Sequence, residues 1–300
     1  VAPTRMTVFG ELRDQLRPAG RLASRPGTRP DPRRSPDRLR PRVRRRRVKR
    51  ERAAARLVEV EVLSKRVPPA LDGVRIGHLS DLHVRTGVRP RRLEAAVATL
   101  NALRPDLVAL TGDYLCLSTR PLPRLTRALR ALEVPAFATL GNHDHWGGAR
   151  AVVRALEAAS MRVLVNASVE LRVRGAPLSV VGLDDAVTGH HDPDRAFRGV
   201  GPGAIVLSHD PKSARLLGAH RPALVLSGHT HGGQVYFRRV TPFLAARVGL
   251  PFLAGLFEVE GAHLYVSRGL GAALPVRFNA PPEVTVLTLR AAALGSSRAA

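Results

Sequence analysis

Five short stretches of this 300-residue chain put acids, imidazoles and one carboxamide directly behind apolar runs. They are Asp81 with His83, Asp113, Asn142 with His143 and Asp144, His209 with Asp210, and His229 with His231. Such oxygen and nitrogen donors suit borderline divalent ions such as Mn, Fe, Zn or Co rather than Ca, which prefers an all-oxygen shell. The single cysteine, Cys116, excludes a CxxC redox pair, a cysteine-rich zinc site and an intrachain disulfide framework. Any metal must therefore be held by His, Asp or Asn. Taken singly, an Asp behind a strand is more often a helix cap or turn residue. It is the conjunction of five such ends that points to a shared metal site. His229 and His231 lie two residues apart, which on an extended chain aims them to opposite sides. They can serve one site only if the chain turns there, and Gly228, Gly232 and Gly233 supply the freedom to turn.

The elements that must position these groups are legible as a series of apolar runs and amphipathic helical patterns. VRIGHLSD (74–81), LVALTGD (107–113) and AFATLGNHD (136–144) read as strands running into loops. Helices are expected at Arg91–Leu103, with Leu93, Ala96, Val97 and Leu100 on one face, around Leu125–Leu132, and at Ala149–Ala159. MRVLVN, VELRV and LSVVGLDD then follow as strands without a helix between them, which predicts a switch to mixed or antiparallel pairing. The alternation resumes with AIVLSHD (204–210), a helix at Lys212–Leu217, and ALVLSGHTH (223–231). LYVSRGLG and EVTVLTLR are late strands. This rhythm predicts an α/β fold with helices covering a sheet, and in such sheets ligands bind beyond the carboxyl ends of the strands.

The formal charge of +24 is unevenly spread: residues 1–66 hold 21 Lys or Arg against 7 Asp or Glu. Residues 1–56 are rich in Arg and Pro, lack a sustained apolar period, and are expected to form a disordered basic tail. The folded domain is expected over 57–292, with a flexible C-terminus at 293–300. A tail of this kind can hold an anionic membrane surface or nucleic acid, or it is a plain solvated extension or a misassigned start. No run of 18 apolar residues, secretory signal pattern or twin-arginine pattern is visible. The expected location is cytoplasmic, with a peripheral position at the membrane as its variant.

The ordered set DLH at 81, GD at 112, GNHD at 141, SHD at 208 and GHTH at 228 resembles the calcineurin-like metallophosphoesterase superfamily over about residues 58–290. The ending GHTHGGQ, with GLDD at 182 and SRGLG followed by RFNAPPE, is similar to a bacterial branch that is often membrane-associated. Some members of that branch act on phospholipid-like or lipid A precursor substrates. The resemblance implies a four-layer αββα sandwich with two mixed sheets and two divalent metal ions about 3.5–4 Å apart. It implies Asp81, His83 and His231 at the first ion and Asn142, His209 and His229 at the second, with Asp113 bridging. A hydroxide between the ions would attack phosphorus in line. His143 would serve a phosphoryl oxygen or the leaving alkoxide, with Asp144 orienting it and raising its pKa. One departure stands out. Members usually carry an acid three positions after the bridging Asp, where this chain has Cys116, so support of the site must come from another group.

The function implied is hydrolysis of a phosphoester, either a phosphodiester or a pyrophosphate, with lipid-linked substrates among the candidates. The apolar segment VTPFLAARVGLPFLAGLF (240–257) reads either as core and loop or as a wall for an acyl chain, with Arg238 and Arg239 on an anionic head group. Pro242, Pro251 and Arg247 argue against its spanning a membrane. The alternative is a nuclease or cyclic-nucleotide phosphodiesterase holding nucleic acid through the tail. Aromatic platforms for it are scarce, since Trp146 is the only tryptophan. A non-catalytic metal-binding scaffold is the third reading, disfavoured because all seven expected ligands and His143 are present.

Overall fold

The computed structural model describes residues 55–87, 90–273 and 276–292, together with the backbone of 44–46. The first sheet takes β1 (Arg44–Arg46), β2 (Arg56–Ser64), β3 (Arg75–Leu79), β4 (Leu107–Thr111), β5 (Ala136–Thr139) and β6 (Arg162–Val163). Its parallel strands are joined by α1 (Arg91–Leu103), α2 (Leu122–Leu129) and α3 (Asn142–Glu157). The second sheet takes β7 (Ala167–Val173), β8 (Ala176–Gly182), β9 (Ile205–Leu207), β10 (Leu224–Ser227), β11 (Gly255–Val259) and β12 (Ala262–Val266). Its connections contain α4 (Pro193–Ala196) and α5 (Val240–Arg247), and β13 (Glu283–Ala291) returns to the first sheet.

Both sheets are mixed. The first runs β1-β2-β13-β3-β4-β5-β6, with β3 to β6 parallel and β13 antiparallel to β3. The second runs β11-β12-β10-β9-β8-β7, with β12, β10, β9 and β8 parallel and an antiparallel strand at each edge. β4 shows why these runs are continuously apolar: Val108 and Leu110 pack under the helices, while Leu107 and Ala109 pack between the sheets. A strand buried on both faces has no solvent side to leave polar. On α1, Leu93, Ala96, Val97 and Leu100 form the buried stripe that the periodicity predicts. The inter-sheet core is closed by Val60 and Val62 of β2, Leu287 and Leu289 of β13, and Leu224 and Leu226 of β10. Beyond the second sheet, α4 and short 3-10 turns pack on Val206, Val225 and Leu264. The layers are thus helix, sheet, sheet and a thin helical cover.

Several local expectations need correction. The segment Lys212–Leu217 is a 3-10 helix over Pro211–Leu216 rather than an α-helix, started by the Asp210 side chain accepting from the Lys212 N–H at 2.9 Å. Six residues are too few to repay α-helix nucleation. α3 begins at Asn142, seven residues ahead of its apolar period, because the Asp144 carboxylate accepts from the Gly141 N–H at 3.0 Å and caps a first turn. Gly148, at φ 123°, then kinks the helix before the apolar stretch. The segment 240–257 divides into α5, a loop and the start of β11. Most of the expected disordered tail, 1–43 and 47–54, and the C-terminal 293–300 lie outside the described residues. Within that tail, however, Arg44–Arg46 pair antiparallel with Leu57–Glu59, and Arg56 already belongs to β2. No helix among the described residues is long and apolar enough to cross a membrane.

The parallel halves of the two sheets bring their carboxyl ends together. The Asp81 N–H donates to Gly112 O and the His83 N–H to Asp113 O, both at 3.0 Å, which locks the ends of β3 and β4. The Gly228 N–H donates to His209 O at 3.1 Å, which does the same for β9 and β10. At Gly228 the two sheets approach closely: a Cβ there would overlap Ser80 Oγ and Asp81 Oδ2. Gly228→Ala is expected to lower stability by about 1–3 kcal/mol through overpacking. Gly201→Ala, where an added Cβ meets nothing within 4 Å, is the control and should shift stability by less than about 0.5 kcal/mol. Urea denaturation midpoints of the two variants measure the difference.

Candidate metal centre

The turns behind the strands are made by the functional residues themselves. Asp81 (φ 52°), His83 (42°), Asp113 (56°), His229 (68°) and His231 (51°) all have left-handed backbones. Non-glycine residues rarely adopt this conformation, and it persists only where the surroundings enforce it. In GHTHGG the two histidines therefore carry the turn, followed by Gly232 and Gly233 at positive φ, whereas Gly228 supplies room rather than rotation. The left-handed turns swing side chains from both sheets into one crevice. Asp81, His83, Asp113, Asn142, His209 and His231 are buried there, while His229 and His143 are partly exposed.

Two groups of donor atoms result. In the first, His83 Nε2 lies 3.1 Å from His231 Nε2, and His231 Nε2 lies 3.6 Å from Asp81 Oδ1. In the second, Asn142 Oδ1 is 3.1 Å from both His209 Nε2 and His229 Nδ1, which are 3.3 Å from each other. Asp113 Oδ2 sits between the groups, 3.6 Å from His83 Nε2 and 3.3 Å from His209 Nε2. The far ring nitrogens define the tautomers: His83 Nδ1 donates to Leu115 O at 3.1 Å and His209 Nδ1 to Thr111 O at 2.7 Å. With Nδ1 so committed, a neutral His83 presents an Nε2 lone pair 3.1 Å from His231 Nε2, while His209 Nε2 faces the acceptors Asn142 Oδ1 and Asp113 Oδ2. Ligands about 2.1 Å from one ion stand about 3.0–3.4 Å apart at octahedral to tetrahedral angles. The separations of 3.1–3.3 Å fall within that range and the two of 3.6 Å lie just beyond it, the spacing expected of donors gathered for shared cations.

The electrostatics point the same way. Burial pushes His83 down to about 3 in spite of Asp113 beside it, and burial also lowers His229 and His231, so these three rings are neutral and ready to ligate at pH 7. Burial opposes a charge on Asp113, yet the imidazole of His209, aided by His83 and His143, holds its carboxyl far below the usual carboxylate range. Burial likewise opposes protonation of His209, but Asp113 overrides it and raises this imidazole well above its ordinary value. A proton shared by Asp113 and His209 is the species a cation would displace. Burial would raise Asp81 as well, but His231 and His209 pull it down.

His143 stands over this centre, its ring edge-on to His83 at 4.9 Å and to Trp146 at 5.0 Å. Its Nδ1 donates to Cys116 O at 2.6 Å. The expectation that Asp144 orients His143 is overturned. Asp144 Oδ2 accepts from the Asp113 and Gly141 N–H groups at 2.8 and 3.0 Å, and Oδ1 from the Tyr114 N–H at 2.9 Å. Asp144 therefore ties the β4 and β5 loops together, and burial beside Asp113 raises its carboxyl to about 7. The orienting group is the carbonyl of Cys116, the position whose side chain departs from the superfamily pattern. A main-chain carbonyl needs no particular residue type.

A sixth strand end, the GLDD run at 182, joins the crevice with a partner its spacing does not name. Behind β8, Asp184 Oδ1 lies 2.7 Å from His145 Nε2, and His190 stacks on the His145 ring at 4.2 Å. The hydrogen bond that His145 Nε2–H donates to the Asp184 carboxylate raises the His145 pKa. His145 and Asn142, three residues apart on α3, share one helix face. Asp185 is fully buried with Oδ1 unpaired, and it adds to the negative field on His209. The GLDD run is the available signal, but nothing in its spacing names His145 as partner. Arg277 is not legible as a site residue either. Its Nη2 lies 3.2 Å from His231 Nδ1 and gives its hydrogens to the Arg268 and Gly271 carbonyls. Arg238 and Arg239 are exposed beside Phe237 and Val240, outside the ligand cluster.

Comparison with known proteins agrees with this geometry. The family model described as calcineurin-like phosphoesterase matches residues 74–233. The chain is 32% identical over 247 residues to the uncharacterized metallophosphoesterase YkuE of Bacillus subtilis (strain 168), covering 77% of this chain and 84% of that one. It is 31% identical over 221 residues to phosphodiesterase YaeI of Escherichia coli (strain K12), covering 72% and 82%. It is 27% identical over 275 residues to UDP-2,3-diacylglucosamine pyrophosphatase LpxG of Chlamydia trachomatis serovar D, covering 72% and 84%. With the motif residues gathered at the carboxyl ends of two mixed sheets and a family match over more than half its length, the chain belongs to the calcineurin-like phosphoesterases, a family of metal-dependent phosphoester hydrolases.

Proposed function

We propose that the protein hydrolyses phosphodiester or pyrophosphate bonds with two divalent cations, Mn, Fe, Zn or Co. Asp81, His83 and His231 would hold one, Asn142, His209 and His229 the other, and Asp113 would be shared. The observation that carries the reading is the pair of donor clusters at 3.1–3.6 Å joined by Asp113 Oδ2. Cations so placed would lower the pKa of a shared water and neutralise phosphoryl oxygens, which supplies both a nucleophile and charge stabilisation. The chain's own groups do the rest. His143, with Nδ1 committed to Cys116 O, presents Nε2 as the proton carrier for the leaving oxygen or as a donor to a phosphoryl oxygen. Asp144 keeps the Asp113 and Gly141 loops in register, so that Asp113 stays between the clusters. His145, made more basic by Asp184, stands one turn beyond Asn142.

A diester or pyrophosphate substrate accords with the relatives named phosphodiesterase and pyrophosphatase. A lipid-linked substrate accords with the exposed apolar residues just beyond the His231 turn. Metal-stripped protein given Mn, Fe, Zn or Co should hydrolyse bis-p-nitrophenyl phosphate faster than p-nitrophenyl phosphate. Asn142→Ala and His229→Ala should each lower kcat/KM by about 10²-fold or more. A folded protein inactive with every metal, or activity indifferent to both substitutions, would overturn the assignment.

The role of His143 separates from metal binding. His143→Ala should lower kcat by about 10²- to 10⁴-fold while metal content, read by mass spectrometry of the dialysed protein, stays at the wild-type level. Cys116→Ala should keep kcat within about twofold, because the support His143 receives there is a backbone carbonyl.

A further inference from the structure

We propose that α5 and the strip beside it form a docking surface for an anionic lipid bilayer, which sets the metal centre at headgroup level. The inference deepens the phosphoesterase reading and rests on it only for the hydrolysis that docking would serve. Of the thirteen exposed large apolar side chains among the described residues, eight lie in two short segments, 235–248 and 276–278. The segments form one surface: Val235 bridges Phe278, the Tyr236 N–H donates to Phe278 O at 2.8 Å, and the Phe237 and Phe278 rings lie 5.3 Å apart.

The helix at its centre is inside out for a globular protein. Val240, Phe243, Leu244 and Val248 recur at spacings that share one face, and all are more than half exposed, whereas the small Ala245 is the residue turned inward. The helix is nonetheless pinned. Thr241 Oγ1 donates to Val235 O at 3.1 Å and accepts from the Phe237 N–H at 2.9 Å, and the Leu250 N–H closes on Ala245 O at 2.8 Å. An ordered element that spends its apolar face on solvent is shaped for a partner that supplies the apolar side.

Charge says which partner. Residues 232–257 and 268–282 contain no Asp or Glu, while Arg238, Arg239 and Arg247 stand among the exposed apolar groups. Arg247 lies over the Phe243 ring at 4.6 Å, so its stem and guanidinium follow the apolar face with the head free to reach phosphate. A second copy of the chain would bring the same arginines against an acid-free face, which like-charge repulsion disfavours. An anionic bilayer offers acyl chains for the phenylalanines and phosphates for the arginines together. The surface is also rigidly joined to the ligands. It begins immediately after His231 and Gly233, and Thr230 Oγ1 donates to Leu253 O at 2.6 Å beyond α5.

Flotation of the full chain with phosphatidylglycerol–phosphatidylcholine vesicles, and with phosphatidylcholine alone, tests this. The wild type should float with the anionic vesicles. A Phe237→Ser, Phe243→Ser, Leu244→Ser triple variant, which keeps every basic residue including the N-terminal ones, should partition at least about tenfold less. Phe243→Trp should show quenching by bromine on the acyl chains beyond that of Trp146 in the wild type, which provides a test that survives poor folding of the triple variant. Equal flotation of wild type and triple variant would assign binding to the basic N-terminal segment and overturn the proposal. So would a wild-type dimer that the triple substitution makes monomeric, or a Phe243→Trp variant whose added fluorescence bromine does not quench. Hydrolysis of soluble bis-p-nitrophenyl phosphate is read on the same samples. Its absence from the wild type would sink the phosphoesterase reading and leave docking standing.

Discussion

Two buried carboxylates and four imidazoles within a few ångströms of one another are tolerable only if positive charge lies among them. Asp81 and Asp113 are removed from water, and the rings of His83, His209, His229 and His231 crowd against them and against the Asn142 carboxamide oxygen. In the protein alone, protons partly meet this demand, which is why Asp113 falls and His209 rises from their ordinary values. A divalent cation meets it more completely, since one ion satisfies several lone pairs at once. The site is therefore built against its own electrostatics, and the fold must hold it there.

What holds it is backbone in the left-handed region at five of the seven proposed ligands. Each such residue costs about 1–3 kcal/mol and survives because its surroundings over-determine it. Ladder hydrogen bonds lock the strand ends in pairs, Asp144 ties the β4 and β5 loops through three N–H groups, and the close approach at Gly228 fixes one sheet against the other. The deep apolar layers under both sheets keep these contacts from relaxing. The outer cover on the second sheet is thin, and α5, between β10 and β11, turns its apolar face outward.

The sequence carries the strands that end in polar residues and the buried face of α1, because a two-sided apolar run and a 3.6-residue period are local signals. It also carries the seven side chains that meet in the crevice. Their backbone conformations are not legible: glycines are the usual bearers of positive φ, so the pattern points to Gly228 as a hinge when the rotation resides in His229 and His231. The work of Asp144 is hidden for a related reason, since proximity to His143 in sequence says nothing of N–H groups 30 residues away. The His145–Asp184 pair spans 39 residues and two sheets, and only the folded chain brings it together. β2 has an alternating pattern of its own, with Val58, Val60 and Val62 buried between the less buried Glu59 and Glu61, whereas β11 takes its identity from its partner β12.

Metal stoichiometry goes most directly to the central claim. Calorimetric titration of metal-stripped protein with Mn should give two equivalents bound per chain. His231→Ala should retain one of them, at Asn142, His209 and His229, and Asp113→Asn should weaken both. A single equivalent in the wild type, or two that neither substitution disturbs, would contradict a pair of cations joined through Asp113.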